Sequence, residues 1–269
     1  MDTQKIRLIA FDMDNTVLAD GAEITPRLQR ILLRAMEKGI QVIPCTGRGR
    51  RQMPRTLEEL PLLYTITSNG SLILDEKQNR AIYSDLVDWQ VAADILGELR
   101  TFGVFFCVHI DRAVYFECGE ESYVREKYHI PNYMPVDLTE NAEKMVRARR
   151  EGAEKIFLRT DDMALRDEIR RRILGKYPVF CSSSSAHNLE FGVPGCSKGT
   201  SLRWLCRRLG IKGSEVAAFG DGENDKEMLE FAGRGLAVGN AQPACKAAAD
   251  EVIGDCAADG VADWLEKRV

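Results

Sequence analysis

The sequence predicts an α/β protein: a parallel-sheet core interrupted by an inserted α+β domain. Three observations carry this expectation. Short apolar runs alternate with amphipathic helical patterns at both ends of the chain, the strand–helix–strand order of a parallel sheet. The early runs stop abruptly in small polar or acidic residues, as strands do where a sheet edge forms a pocket. Between residues 85 and 188 the alternation gives way to strand pairs mixed with helices. With 269 residues the chain can hold one large domain or two modest ones. The expected division is 1–84 with 189–269 for the core and 85–188 for the insertion.

Ile6 to Phe11, broken only by Arg7, reads as a short buried strand that ends at Asp12 and Asp14, with a turn signal at Asn15 and Thr16. Thr25 before Pro26 is a helix start, with a capping oxygen followed by proline at the first helical position. Leu28, Ile31, Leu32, Ala35 and Met36 then line one face, and Gly39 stops the helix. Ile40 to Cys45 is a second strand running into Thr46-Gly47-Arg48. A basic helix is expected over residues 50–60, and a third strand, Tyr64 to Thr67, ends in Ser68-Asn69-Gly70.

From Ser71 the pattern changes: Ser71 to Leu74 and Arg80 to Tyr83 form a hairpin before the insertion, and Val87 to Leu99 a helix. Val104 to His109 and Ala113 to Glu117 make a second hairpin around Asp111-Arg112. A strand at Lys155 to Arg159, a helix at Met163 to Leu174 and a strand near 179–182 follow within the insertion, and another strand at 189–191 comes just after its expected end. The parallel pattern resumes at Ser197, which can cap a helix with Leu202, Leu205, Cys206 and Leu209 on its buried face. Lys198 lies in that helix's first turn, where the helix dipole disfavours a cation. A strand at Glu215 to Phe219 ends in Gly220-Asp221-Gly222-Glu223-Asn224-Asp225, and helix–strand alternation continues to the end.

Composition narrows the class. Hydrophobic residues at 45% and charged residues at 29% describe an ordinary soluble globular protein. A net charge of −4 leaves no basic footprint for nucleic acid. No apolar stretch approaches the roughly 18 residues of a membrane helix, and the N-terminus lacks a signal-peptide core. The eight cysteines are scattered without a C-x-x-C pair, so reduced structural thiols in a cytoplasmic protein are expected. No P-loop pattern occurs, which removes that class of nucleotide hydrolase.

Four clusters remain at strand ends: Asp12 with Asp14, Thr46 with Gly47, Lys198, and Asp221 with Asn224 and Asp225. For the first, the plain alternative is a strand closing in an Asx-turn. Together they suit one chemistry. Converging carboxylates repel and raise one another's pKa values, and a hard divalent cation such as Mg²⁺ relieves this. The hydroxyl, glycine N–H, lysine and amide are donors suited to a phosphoryl group.

The segments DMDNTVL, CTGR, SKGTSL and GDGENDKEML, in that order, resemble the four motifs of the haloacid dehalogenase superfamily of phosphohydrolases. The insertion after the second motif and the tail AVGNAQPACKAAAD resemble its Cof-like branch, and the resemblance covers almost the full chain. It implies a Rossmann-like core with a cap domain, and Asp12 as a nucleophile forming an aspartyl phosphate. Asp14 is then the general acid and base. Asp12, Asp221 and the Asp14 backbone carbonyl would hold Mg²⁺, with Asp225 in or near that shell. Thr46, Gly47, Lys198 and Asn224 would bind the transferring phosphoryl. The chain departs from the pattern at Asn15, where most relatives carry glycine, and at Val17, commonly leucine. Asn best tolerates a left-handed backbone among other residues, so the turn is expected to survive.

The resemblance implies a phosphatase of small phosphorylated metabolites, commonly sugar phosphates, working as a monomer or weak homodimer. A sugar phosphomutase and a catalytically silent phosphate-binding protein are the rival readings. The arginines at 147, 149–150 and 170–172 read as solvated helix faces. The histidines at 109, 129 and 187 show no metal spacing and read as structural or surface residues. A substrate-facing role for His109, with Asp111 and Arg112, is the sharper alternative.

Overall fold

A computed structural model of the chain describes residues 5–19, 23–128, 130, 132 and 134–269. In chain order, β1 (Leu8–Phe11), α1 (Pro26–Glu37), β2 (Gln41–Pro44), α2 (Arg55–Glu58), β3 (Tyr64–Thr67), β4 (Leu72–Asp75) and β5 (Arg80–Ser84) come first. Next are α3 (Trp89–Thr101), β6 (Phe105–Ile110), β7 (Ala113–Glu117), α4 (Glu121–Tyr128), β8 (Asp137–Thr139) and α5 (Ala142–Arg149). These lead to β9 (Lys155–Arg159), α6 (Met163–Lys176), β10 (Phe180–Ser182) and β11 (Asn188–Gly192). The chain continues with α7 (Lys198–Leu209), β12 (Val216–Gly220), α8 (Lys226–Phe231), β13 (Arg234–Ala237), α9 (Pro243–Ala248), β14 (Glu251–Val252) and α10 (Gly260–Glu266). Two compact units result. One comprises the chain up to Gly47, Met53–Tyr83 and Ser197–Val269; the other comprises Arg48–Gln52 and Ser84–Cys196.

The first unit is built on a parallel sheet of order β14-β13-β12-β1-β2. β1 is buried along its whole length, with Phe11 opposite Phe219 of β12. Such strands read as continuous apolar runs because helices cover both faces. α1 begins as its sequence dictates: the Thr25 hydroxyl accepts the Leu28 N–H at 3.1 Å, Pro26 follows, and Leu28, Ile31, Leu32 and Ala35 enter the core. α1 packs with α10, and α7 with α8. Chain order runs outward from the sheet's middle, β1 to β2 one way and β12 to β14 the other. The carboxyl ends of β1 and β12 therefore flank the switch point where open α/β sheets bind ligands. β3 pairs with β4 in a separate three-stranded sheet, β3-β4-β5, and meets the parallel sheet at one bridge, Cys45 to Ile66.

The helix expected over 50–60 is instead a single tight turn, Arg50–Gln52, followed by the one-turn α2. Pro54 separates them, because proline disfavours a helical conformation for the residue before it. α3 starts two residues later than expected. Val87 pairs with Ala153, and the Asp88 carboxylate then caps the helix by accepting the Gln90 N–H at 2.8 Å.

The second unit is a six-stranded sheet of order β10-β11-β9-β6-β7-β8. Its β6–β7 hairpin turns through Asp111 and Arg112, both left-handed, as a two-residue turn requires. Phe106, Val108, Ile110, Ile156, Leu158, Leu189 and Phe191 face one apolar core with residues of α3, α5 and α6. Alternate positions carry His109, Lys155 and Glu190, all buried, with Lys155 Nζ 3.0 Å from Glu190. Because β11 pairs with β9, the unit extends through Cys196, and the expected return to the core at residue 189 falls inside its sheet. Arg48–Gln52, expected in the core, also belongs to this unit. The Arg51 N–H donates to the Arg112 carbonyl at 3.3 Å, and its guanidinium pairs with Asp137 at 2.9 Å.

All eight cysteines are free thiols. Burial pushes those of Cys107, Cys206 and Cys245 up to about 12. Arg147 sits in an exposed ion pair with Asp94, as a solvated helix face does, whereas the half-buried Arg149 pairs with Glu151 and donates to the Tyr115 hydroxyl at 2.9 Å. His187 is exposed beside Asp161 at 3.3 Å, and His129 lies outside the described residues.

Burial, assisted by the Lys155 charge, holds the His109 imidazole well below its ordinary range. The unfolded chain titrates this histidine near pH ~6.5 and so binds more protons than the folded state below that pH. Its contribution to stability is full above pH ~6.5 and is lost as the pH falls further. The urea midpoint of the wild type should therefore drop more steeply between about pH 7 and pH 5.5 than that of His109→Gln. Parallel slopes would show that His109 does not govern the acid sensitivity.

Candidate active site at the switch point

β1 ends in Asp12, whose N–H donates to the Phe219 carbonyl of β12 at 2.9 Å, so the carboxylate emerges between the two strands. The chain then turns back through Asn15, which is left-handed at φ 60°. The Asn15 N–H reaches the Leu18 carbonyl, and its own carbonyl accepts from the Asn240 side chain at 2.8 Å. The expected tolerance of asparagine in this turn is realised. Asp14, on the same turn, is partly exposed and acts electrostatically on Asp12.

Lys198 is delivered by the start of α7. The Ser197 hydroxyl accepts the Thr200 N–H at 3.1 Å while the Thr200 hydroxyl accepts the Ser197 N–H at 2.9 Å, a reciprocal cap. Gly199 lets α7 touch α8, since a Cβ there would lie 2.5 Å from the Glu227 backbone. The lysine is completely buried, and its ammonium donates to Asp12 Oδ1 at 2.5 Å and Asp225 Oδ1 at 2.7 Å. Burial pushes its pKa down, but the two carboxylates more than offset this and the net shift is upward. A cation disfavoured by the helix dipole is thus held between two carboxylates.

The loop after β12 folds around Asp225. Its Oδ2 accepts the Asp221 and Gly222 N–H groups, each at 3.0 Å. Both of its oxygens are therefore engaged. Asp221 stands nearer solvent, and Thr16 Oγ1 donates to its Oδ1 at 3.1 Å. One oxygen from each of Asp12, Asp221 and Asp225 lies within 4.8 Å of the others. Burial is the largest influence raising Asp12 well above the usual carboxylate range, and the neighbouring Asp225, Asp221 and Asp14 add to it against Lys198. Asp221 is pushed up to about 6 by burial and then by Asp225. Ionised together, these groups call for more positive charge than Lys198 supplies.

Thr46, Gly47 and Asn224 complete the set. Thr46 is buried at the end of β2, where its N–H donates to the Ile66 carbonyl at 2.9 Å. Asn224 is partly exposed, and its amide donates to Asn69 Oδ1 at 3.1 Å. The structure brings Asp12, Lys198, Asp221 and Asp225 into direct contact or close range, and it links Thr46 to Asn224 through Asn69. Sequence reasoning assigned no role to Thr16 or Asn69. Thr16 carried only a turn signal, and Asn69 was one of two small polar residues that precede a glycine at a strand end.

Asp225 orders this loop as well as the lysine. Asp225→Ala should lower the unfolding free energy by about 3–5 kcal/mol, because it strands a buried cation contact and two backbone donors. Urea titration in EDTA reads the loss without any bound cation, and an unchanged midpoint would show that the loop stands without it.

A family model for haloacid dehalogenase-like hydrolases matches residues 9–265. The chain is 30% identical to an HMP-PP phosphatase of Serratia proteamaculans, covering 97% of this chain and 94% of that protein. It is 28% identical to a pyridoxal phosphate phosphatase of Escherichia coli, over 96% and 97% of the two chains. A haloacid dehalogenase-like hydrolase from Bacillus subtilis superposes with a TM-score of 0.86 at 26% identity, covering 98% of this chain and all of that one. The chain therefore belongs to the haloacid dehalogenase-like hydrolases and is a phosphatase.

Proposed function

We propose that this chain is a Mg²⁺-dependent phosphatase of small phosphorylated metabolites, sugar phosphates among them, that works through phosphoryl transfer to Asp12. The observation that carries the reading is the buried Lys198 ammonium held on Asp12 and Asp225 beside Asp221, at the sheet's switch point. Two of its relatives are named for phosphorylated small molecules, HMP-PP and pyridoxal phosphate.

An Asp12 oxygen attacks phosphorus and the bond to the ester oxygen breaks. Asp14 gives its proton to the departing oxygen. It then accepts a proton from water as that water attacks the same phosphorus, releasing inorganic phosphate and restoring the Asp12 carboxylate. Lys198, the Thr46 hydroxyl, the Gly47 N–H and the Asn224 amide donate to the phosphoryl oxygens, whose charge grows in the transition state. The raised pKa values of Asp12 and Asp221 and the proximity of three carboxylates fit a divalent cation. Asp12, Asp221 and the Asp14 backbone carbonyl would hold it. Asp225, committed to Lys198 and two backbone donors, would stand beside them. When bound, Mg²⁺ supplies positive charge shared between the carboxylates and the phosphoryl group.

The second unit is the part proposed to act as a cap, excluding water and selecting the leaving group. The protein is proposed to act in the cytoplasm as a monomer or weak homodimer. Among the described residues no helix is long and apolar enough to cross a membrane.

Phosphate release from p-nitrophenyl phosphate and from a panel of phosphorylated metabolites tests the reading. Release should require Mg²⁺, stop in EDTA, and fall at least about 10³-fold in Asp12→Asn, a barrier change of ~4 kcal/mol. Full activity in Asp12→Asn, or silence across the whole panel, would overturn it.

A further inference from the structure

The loop Ser68–Gly70 of the first unit is held in an unfavourable conformation. Ser68, Asn69 and Gly70 are consecutive left-handed residues, with φ of 51°, 58° and 102°. Just before them the Thr67 hydroxyl is buried without a hydrogen-bond partner among the described residues. Backbone strain and an unpaired buried hydroxyl persist where surrounding structure over-determines them, which is characteristic of functional sites.

The surroundings here are three of the four strand-end motifs. The Asn69 N–H donates to the Thr46 carbonyl at 3.0 Å. The Gly70 carbonyl accepts from Ser201 Oγ of α7 at 2.6 Å, and a Cβ on Gly70 would lie 2.3 Å from the Ser197 carbonyl oxygen. Asn69 Oδ1 accepts from the Asn224 side chain at 3.1 Å. One loop thus ties the end of β2, the start of α7 and the loop after β12.

The Asn224 contact has a directional consequence. An asparagine amide presents two N–H groups at one end and an acceptor oxygen at the other. With Asn69 Oδ1 holding one N–H, the amide nitrogen is fixed and its second N–H keeps a set direction. A flipped amide would set two carbonyl oxygens against each other and offer an oxygen, instead of a donor, to an anion.

We propose that Asn69 is a positioning residue, orienting the Asn224 amide and anchoring the Thr46 backbone so that both meet a phosphoryl group as donors. This rests on the proposed role of Thr46 and Asn224 in holding that group. Asparagine suits the position because it adopts the left-handed conformation more readily than other non-glycine residues while carrying an acceptor.

The test is calorimetric titration of inorganic phosphate in Mg²⁺ into the wild type, Asn69→Gly, Asn224→Ala and the double variant. Glycine accepts the left-handed backbone, so Asn69→Gly should fold with a near-normal thermal midpoint yet bind phosphate about tenfold more weakly. Asn224→Ala should lose at least as much, and the double variant should be no weaker than Asn224→Ala alone, because the two residues act as one unit. Asn69→Ala, which lacks the same acceptor but strains the loop, should show the same phosphate loss with lower stability. Unchanged phosphate affinity in Asn69→Gly, or losses that add in the double variant, would overturn the positioning role while leaving the phosphatase reading intact. No loss in Asn224→Ala would overturn both the role of Asn224 and this inference.

Discussion

The buried ammonium of Lys198 is the interaction on which the rest of the site depends. A lysine removed from water is costly unless paired, and here two carboxylates 2.5 and 2.7 Å away make it affordable. The dependence is mutual. Without the cation, Asp12 and Asp225 would face each other unshielded beside Asp221. The reciprocal cap at Ser197, the missing Cβ of Gly199 and the two backbone donors on Asp225 all serve that contact. Each fixes one partner's position to within hydrogen-bond tolerance before any ligand arrives, which is the preorganisation that phosphoryl transfer exploits.

Topology explains why residues so far apart in sequence can meet there. β1 and β12 are neighbours although more than half the chain lies between them, because the insertion leaves the first unit after β5 and returns before α7. The parallel register sets Phe11 opposite Phe219, and so sets where Asp12 emerges relative to the loop that carries Asp221 and Asp225. The order of the strands is thus a prerequisite of the chemistry. A slip of one residue would send the Asp12 side chain to the other face of the sheet.

Much of this was legible in the sequence because the signals are local. An apolar run ending in Asp12 and Asp14, a Thr25-Pro26 helix start and a Ser197 cap each have a short-range physical cause, and each appears in the structure. The features that escaped are those set by long-range pairing. Leu189 and Phe191 read equally well as a core strand or an insertion strand, and only pairing with β9 decides between them. Arg48–Gln52 follows directly on Thr46 and Gly47, yet its partners Arg112 and Asp137 lie far along the chain. Thr16 and Asn69 were visible only as turn residues, since nothing local reveals that their side chains meet Asp221 and Asn224. The carboxylates and Lys198 were readable as a group because their charge is conspicuous near apolar runs. Thr16 and Asn69, neutral residues within turns, carry no such mark.

The left-handed residues show what holding the site requires. Asn15, Ser68 and Asn69 each adopt a conformation that most side chains resist, and all three flank residues of the strand-end clusters. Elsewhere left-handed residues have an evident local purpose: Gly39 and Gly210 end helices, and Asp111 with Arg112 turns a hairpin. Ser68 and Asn69 also turn β3 into β4, but through a longer loop than the two-residue turn that joins β6 to β7. What their conformation also achieves is the placement of the Asn69 backbone and side chain on Thr46 and Asn224 at once. Local preference and tertiary arrangement disagree at this loop, whereas they agree in the helices and strands around it, and such disagreement is expected where geometry serves a ligand more than the fold.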